Sequence, residues 1–173
     1  MHPFNPDEAT RNRLDFVTLR DGGVALYHAD GVLSDDVEWF RQAGYAVVNF
    51  DGAEWRTAEL FFGSFAAELR FPSYFGHNLD AFNECLAENS QVPERGLVVV
   101  IRRIDSTVGS LGQTFVQDAI DLLSLASHEQ LLYGRRLMFL LQSVNPRIEF
   151  RTIGARPVSW NSREFLYSSR GIK

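Results

Sequence analysis

Between residues 71 and 94 the chain carries four acids, Asp80, Glu84, Glu88 and Glu94, and no lysine or arginine. The first three recur at every fourth residue, which in a helix at about 100° per residue confines them to an arc of about 80°. Carboxylates set out in this way can accept charge-assisted hydrogen bonds from a cationic partner, act as an acid/base pair, or ligate a metal. An acid/base pair is not expected, because such pairs flank a substrate from separate elements, about 5–9.5 Å apart in a cleft. Two carboxylates on one exposed helix face also have no reason for divergent pKa values. His77 with Asp80 and Glu84 offers three ligands, but a zinc site usually needs a fourth, and no H-E-x-x-H pattern lies nearby. No metal and no other cofactor is expected: the chain has no Walker loop and no dinucleotide fingerprint. Nor is an enzyme, since G-x-S-x-G is absent and His2, His28 and His128 have no catalytic context. Cys85 borders the apolar side of the segment and reads as a small hydrophobe. The chemistry left to these acids is recognition of a partner.

That reading requires a helix to hold them. Leu79, Phe82 and Leu86 recur at helical spacing and fall roughly opposite the acids, so the carboxylates must face solvent or a partner. Like charges at i,i+4 cost a helix a few tenths of a kcal/mol per pair. A surface helix normally intersperses both signs. A local conflict without local relief is what functional sites show.

The rest of the chain must position this helix. The weak alternation of Leu14 to Leu19, the turn signal Asp21-Gly22-Gly23 and the run Val24 to His28 predict a β-hairpin. Ser34 reads as an N-cap, followed by a short helix that Gly44 ends. Tyr45 to Phe50 is a β-branched run of strand length. Leu60, Phe61, Phe65 and Leu69 recur at helical spacing before Pro72. Leu97 to Ile101 and Leu137 to Leu141 are wholly apolar, as strands buried on both faces would be. Between them Phe115, Ala119, Leu122, Leu123 and Ala126 mark a longer helix closed by Gly134. Strands alternating with helices predict an α/β fold with a mainly parallel sheet covered by helices. Residues 1–44 read as an N-terminal hairpin and helix extension, residues 45–143 as the core domain, and 144–173 as a C-terminal appendage. Trp160 and Phe165 are its expected anchors. The first dozen residues, polar and broken by prolines, are expected to fray.

Composition sets the class. The 173 residues are 45% hydrophobic and 23% charged, with 14 Phe, enough for a packed core and too apolar for disorder. No run approaches the ~20 apolar residues a membrane helix needs, and the N-terminus has no secretory pattern. One cysteine forms no internal disulfide. A cytoplasmic protein, with no membrane partner, is expected. The net charge of −5 is unevenly placed: residues 1–94 carry 16 acids and six arginines, a balance of −10. Residues 95–173 carry six acids and 11 bases, a balance of +5.

The segment Phe71-Pro72-Ser73-Tyr74-Phe75-Gly76-His77-Asn78-Leu79-Asp80-Ala81-Phe82-Asn83-Glu84-Cys85-Leu86 resembles the signature of the barstar family of intracellular ribonuclease inhibitors. That signature is a proline, an aromatic pair, Gly-x-Asn-Leu-Asp-Ala, two variable positions, an acid and often Cys-Leu. The resemblance spans residues 45–143 and implies a small three-stranded parallel sheet packed with helices. It implies that this helix and its loop plug the active site of a basic ribonuclease or nuclease toxin, as an immunity protein does in a toxin-antitoxin pair. Tyr74, Gly76, Asn78, Asp80 and Glu84 fall on contact positions of the motif, and Glu129 resembles a peripheral one. Carboxylates would stand in for phosphates before arginines, and Tyr74 would offer an aromatic face. Two positions depart from the pattern. Glu84 stands where the best-known member has aspartate, and Asn83 where tryptophan is common, which implies a different or retuned partner nuclease.

The rival reading lies in the tail. Residues 130–173 hold two acids and eight bases, with Trp160, Phe165 and Tyr167 interleaved, a composition that suits RNA or a regulatory adaptor role. The sequence pI of about 5.3 argues against nucleic acid as the principal partner. Pairing of these arginines with the acidic half across the fold is the structural alternative.

Overall fold

A computed structural model of the chain describes residues 12–88, 92–153 and 156–173. Its centre is one parallel sheet of β1 (Val24–Tyr27), β2 (Ala46–Asp51), β3 (Leu97–Arg102), β4 (Leu137–Gln142) and β5 (Ser159–Trp160). The order across the sheet is β2-β3-β4-β1-β5. Among the described residues the sheet therefore has five strands, where the family resemblance implied three. The added pair is β1 and β5: β1 lies beside β4 with Val24 opposite Phe139, and β5 lies beside β1 with Leu26 opposite Trp160.

The apolar runs behave as strands covered on both sides. Successive side chains of a strand point to opposite faces. Accordingly Leu97, Val99 and Ile101 of β3 enter one core with Leu137, Phe139 and Leu141 of β4. Val98, Val100, Met138 and Leu140 enter the other. The first core is closed by α3 (Ala58–Glu68), α4 (Leu79–Ala87), α5 (Ile104–Leu111) and α6 (Gln113–Leu132). The second is closed by α1 (Leu14–Arg20) and α2 (Asp30–Gln42) through Leu19, Leu33, Val37 and Phe40.

The expected N-terminal hairpin is replaced by helix and strand. Leu14–Arg20 is helical, because Asp15, Thr18 and Leu19 at helical spacing turn one face inward. Asp15 is fully buried and accepts hydrogen bonds from Tyr45 Oη (2.6 Å), the Phe16 amide (2.9 Å) and Arg13 (2.8 Å and 3.1 Å). β1 needs no hairpin partner, since β4 and β5 occupy both of its edges. Between α1 and β1 the backbone passes so close to α6 that a Cβ on Gly23, at φ +76°, would lie 1.9 Å from Ser127 Oγ. The helix expected from Ser34 starts earlier, at Asp30. Its preceding residue, Ala29, has no capping side chain. Glu164 of the C-terminal segment supplies the cap, accepting from the amides of His28 (2.9 Å) and Ala29 (2.7 Å).

The C-terminal segment is held by polar side chains as much as by apolar ones. Asp36 of α2 accepts from Tyr27 Oη (2.8 Å), Asn161 Nδ2 (2.7 Å) and Arg163. Ile148, Ile153 and Val158 join the first core, and Trp160 packs against it half-buried. Phe165, expected as an anchor, is 66% exposed. The expected fraying of the first dozen residues falls, but for Asn12, outside the described residues. No helix among the described residues is long and apolar enough to cross a membrane.

Candidate functional site: an acidic helix and its loop

The acidic helix α4 rests on a cluster of phenylalanines. Phe82 is fully buried, with ring centroids of Phe61, Phe62 and Phe65 at 5.4, 5.7 and 5.0 Å from its own. Leu86 is also fully buried, one turn on. Truncating such a buried aromatic costs on the order of 3–5 kcal/mol, so Phe82 pins α4 firmly to the core. The far end of the helix is tied by Gln130 of α6, whose Nε2 donates to the carbonyls of Leu86 (3.0 Å) and Ala87 (2.9 Å). These are carbonyls that the helix end leaves without partners. No local sequence signal announces Gln130, because its partners are more than 40 positions away.

The loop before α4 is built to display rather than to move. Asn78 is the N-cap: its Oδ1 accepts from the Ala81 amide (2.9 Å), and its Nδ2 donates to the Gly76 carbonyl (3.2 Å). Gly76 has an ordinary φ; a Cβ there would come within 3.1 Å of Asn78 Nδ2 and press on that side chain. The left-handed residue is its neighbour His77, at φ +49°, whose ring lies 4.9 Å from that of buried Phe75. Phe75 turns inward, and Tyr74 beside it is 81% exposed. A large aromatic left in water on a rigid loop marks an interaction surface.

Asp80, Glu84 and Glu88 all lie exposed along α4, with Leu79 and Ala81 half-buried beside the core. None of the three carboxylates makes a hydrogen bond or ion pair among the described residues. Elsewhere acids find arginines: Asp30 with Arg102, Asp35 and Asp36 with Arg163, Asp51 with Arg103. Asn83, on the flank of the helix, is half-buried, and its Oδ1 is enclosed without a hydrogen-bond partner among the described residues.

Thus six of the seven candidate residues, Tyr74, Gly76, Asn78, Asp80, Asn83 and Glu84, share one loop and helix. Glu129 comes from α6, next to Gln130, and is half-buried, with its Oε2 enclosed and without a hydrogen-bond partner among the described residues. It is therefore less displayed than the acids of α4.

Two further groups feel the site's charge. Burial, and then the charges of Glu84 and Glu88, push the Cys85 thiol above its ordinary pKa. Glu59, in the first turn of α3, is held below the ordinary carboxylate range by its own amide and the Thr57 hydroxyl, with a smaller contribution from the charge of His77. The sequence did not single out Glu59; its nearness to the loop comes from the packing of α3.

No curated protein matches the chain. The family model Barstar (barnase inhibitor) matches residues 45–142, a span that includes the whole loop, α4 and the strands β2, β3 and β4. That match covers more than half of the chain, and the chain belongs to the barstar family.

Proposed function

We propose that this protein inhibits a basic ribonuclease by presenting α4 and its loop to the enzyme's active site. One observation carries the reading. The carboxylates of Asp80 and Glu84 project from a rigid, base-free helix face and are committed to no partner among the described residues. A ribonuclease site holds phosphate with Arg, Lys and His, and preset carboxylates offer those cations the same charge-assisted, often bidentate, bonds. Tyr74 adds aromatic area beside them, and Asn78 and Gly76 shape the loop. Asn83, on the flank of α4, and Glu129, on α6, are half-buried and stand as peripheral positions on this reading.

Concentrated negative charge also speeds encounter with a cationic partner. The barnase–barstar pair of this family associates by such electrostatic steering. Glu84 and Asn83 point to a partner retuned relative to barnase: one methylene more moves the carboxylate by about 1.5 Å, with added rotamer entropy. Residues 45–143 form the inhibitory unit on this reading, working in the cytoplasm, with residues 1–44 as an N-terminal extension and 144–173 as a C-terminal appendage. A cognate nuclease toxin is the natural target.

The test is inhibition of RNA hydrolysis across a panel of purified basic ribonucleases, barnase included. The wild type should inhibit at least one enzyme stoichiometrically. Asp80→Asn with Glu84→Gln should weaken inhibition roughly a thousandfold, from about 2 kcal/mol per desolvated carboxylate. Equal potency of the double variant, or inhibition of no member, would overturn the proposal.

A further inference from the structure

The C-terminal segment carries a second surface of opposite character, at the other edge of the sheet from β2. Beside β5 lies a cleft of about 780 Å³, lined among others by Phe150, Trp160, Phe165, Tyr167, Arg147 and Lys173. Phe165, Leu166 and Tyr167 are consecutive, and each exposes more than three-fifths of its surface (66%, 66% and 62%). Three large apolar side chains in a row are not left in water by a segment whose work is merely to pack.

Two rings of the aromatic wall, Trp160 and Tyr167, are held by one arginine. Arg170 is buried, with its guanidinium 4.3 Å from the Trp160 ring centroid and 5.1 Å from that of Tyr167. Its Nε donates to the Pro146 carbonyl (3.0 Å), and one terminal nitrogen donates to the carbonyls of Glu164 and Phe165. This arginine is thereby committed to fixing the rings. Arg147, Arg151, Arg156 and Lys173 are exposed and make no side-chain hydrogen bond or ion pair among the described residues. Among the described residues, Arg163 is the one exposed arginine of the tail engaged with the acidic half, through Asp35 and Asp36. Glu149 is the one acidic side chain on the cleft wall among the described residues. Residues 130–173 as a whole balance at +6, eight bases against two acids.

Fixed aromatic faces bordered by uncommitted cations are the elements from which single-stranded nucleic acid sites are made. Each base stacks on a ring, and each phosphate meets an arginine or lysine. We propose that this cleft binds a short single-stranded RNA segment, with bases against Phe165 and Tyr167 and phosphates toward Arg147 and Lys173. The occupant has to be anionic and carry flat apolar faces, and RNA supplies both in every residue. The protein's net charge of −5 does not oppose this, because its excess acids lie in residues 1–94. The site is independent of α4 and does not rest on ribonuclease inhibition.

Binding is read by fluorescence anisotropy of an end-labelled oligouridylate with the full chain at low salt. Wild type should bind, and log K should fall with log salt at a slope of about −1.4 for two phosphate contacts. Phe165→Ala with Tyr167→Ala, both exposed positions, should weaken binding by at least tenfold with the circular dichroism spectrum unchanged. Arg147→Gln should weaken binding and lower the slope. Asp80→Asn with Glu84→Gln should leave binding intact, which separates this site from the acidic helix. Four results would overturn the proposal: no binding of the oligomer; binding indifferent to the ring substitutions; uridine monophosphate competing as well as the oligomer, which would make the cleft a nucleotide pocket; or an acidic aromatic peptide displacing the RNA at lower concentration.

Discussion

Glu164 joins the C-terminal segment to the start of α2, and removing its carboxylate has a calculable cost. The residue is 1% exposed, and its two oxygens accept separately from the amides of His28 (2.9 Å) and Ala29 (2.7 Å). Hydrogen bonds to a charged acceptor contribute about 1.5–3 kcal/mol each, and an anion at a helix N-terminus adds about 0.5 kcal/mol. His28 is half-buried and Ala29 is exposed, so water recovers part of the loss once the side chain is gone. Glu164→Ala should therefore destabilise the protein by about 3–4 kcal/mol. At about 2–4 °C per kcal/mol for a chain of this size, Tm should fall by about 10 °C. The backbone of residue 164 stays in place, since Arg170 donates to its carbonyl independently of the side chain. Glu164→Gln keeps one acceptor and turns an amide NH₂ toward the second donor, so about half the loss is expected. Urea unfolding at neutral pH, followed by circular dichroism, should show a lower midpoint with an unchanged m-value. Hydrogen exchange at His28 and Ala29 should accelerate at the same time. An alanine variant within 1 kcal/mol of wild type, with exchange at these two amides unaltered, would refute the assignment of Glu164 as the cap of α2.

Asp15 should make stability fall in acid. Burial acts to raise its pKa, but hydrogen bonds from Arg13 and Tyr45, the charge of Arg13 and the Phe16 amide together hold it below its ordinary value of 3.8. A depressed carboxylate contributes stability that is full above the unfolded value and is lost as pH falls through the folded one. Asp15→Asn should therefore destabilise the protein at neutral pH and flatten the loss below about pH 4, measured as unfolding free energy against pH. Cys85 reports the charge of α4. Its raised thiol pKa should make alkylation by iodoacetamide slow at neutral pH, and Glu84→Gln with Glu88→Gln should speed it by lowering that pKa. An unchanged rate would mean that the two carboxylates do not reach the thiol.

The acidic helix could be read from the chain because its information is local. A helix at 3.6 residues per turn separates Asp80, Glu84 and Glu88 from Phe82 and Leu86 whatever surrounds it, and the structure buries the second set and exposes the first. The runs Leu97 to Ile101 and Leu137 to Leu141 were equally plain, since strands covered on both faces have no polar side to show. The short helix α5, Ile104–Leu111, shows no clear helical pattern in the sequence, because Gly109 and the following Gly112 interrupt it. Leu14–Arg20 is ambiguous for a related reason: about two turns of helix carry too few residues to tell a period of 3.6 from one of 2.

Sequence by itself therefore determined the α/β class, the two apolar central strands and the carboxylate stripe, each of which depends on spacing within one segment. Tertiary structure alone decided that β1 lies against β4 and β5, that Glu164 caps a helix some 135 positions away, and that Gln130 ties down α4. It also decided which charges are already engaged, with Arg163 spent on Asp35 and Asp36 while Asp80 and Glu84 keep no partner among the described residues. The physical reason is that strand pairing, remote capping and ion pairing are contacts between groups whose separation along the chain carries no local trace. A residue's chemistry is written in the sequence, but whether that chemistry is already satisfied depends on what the fold brings beside it.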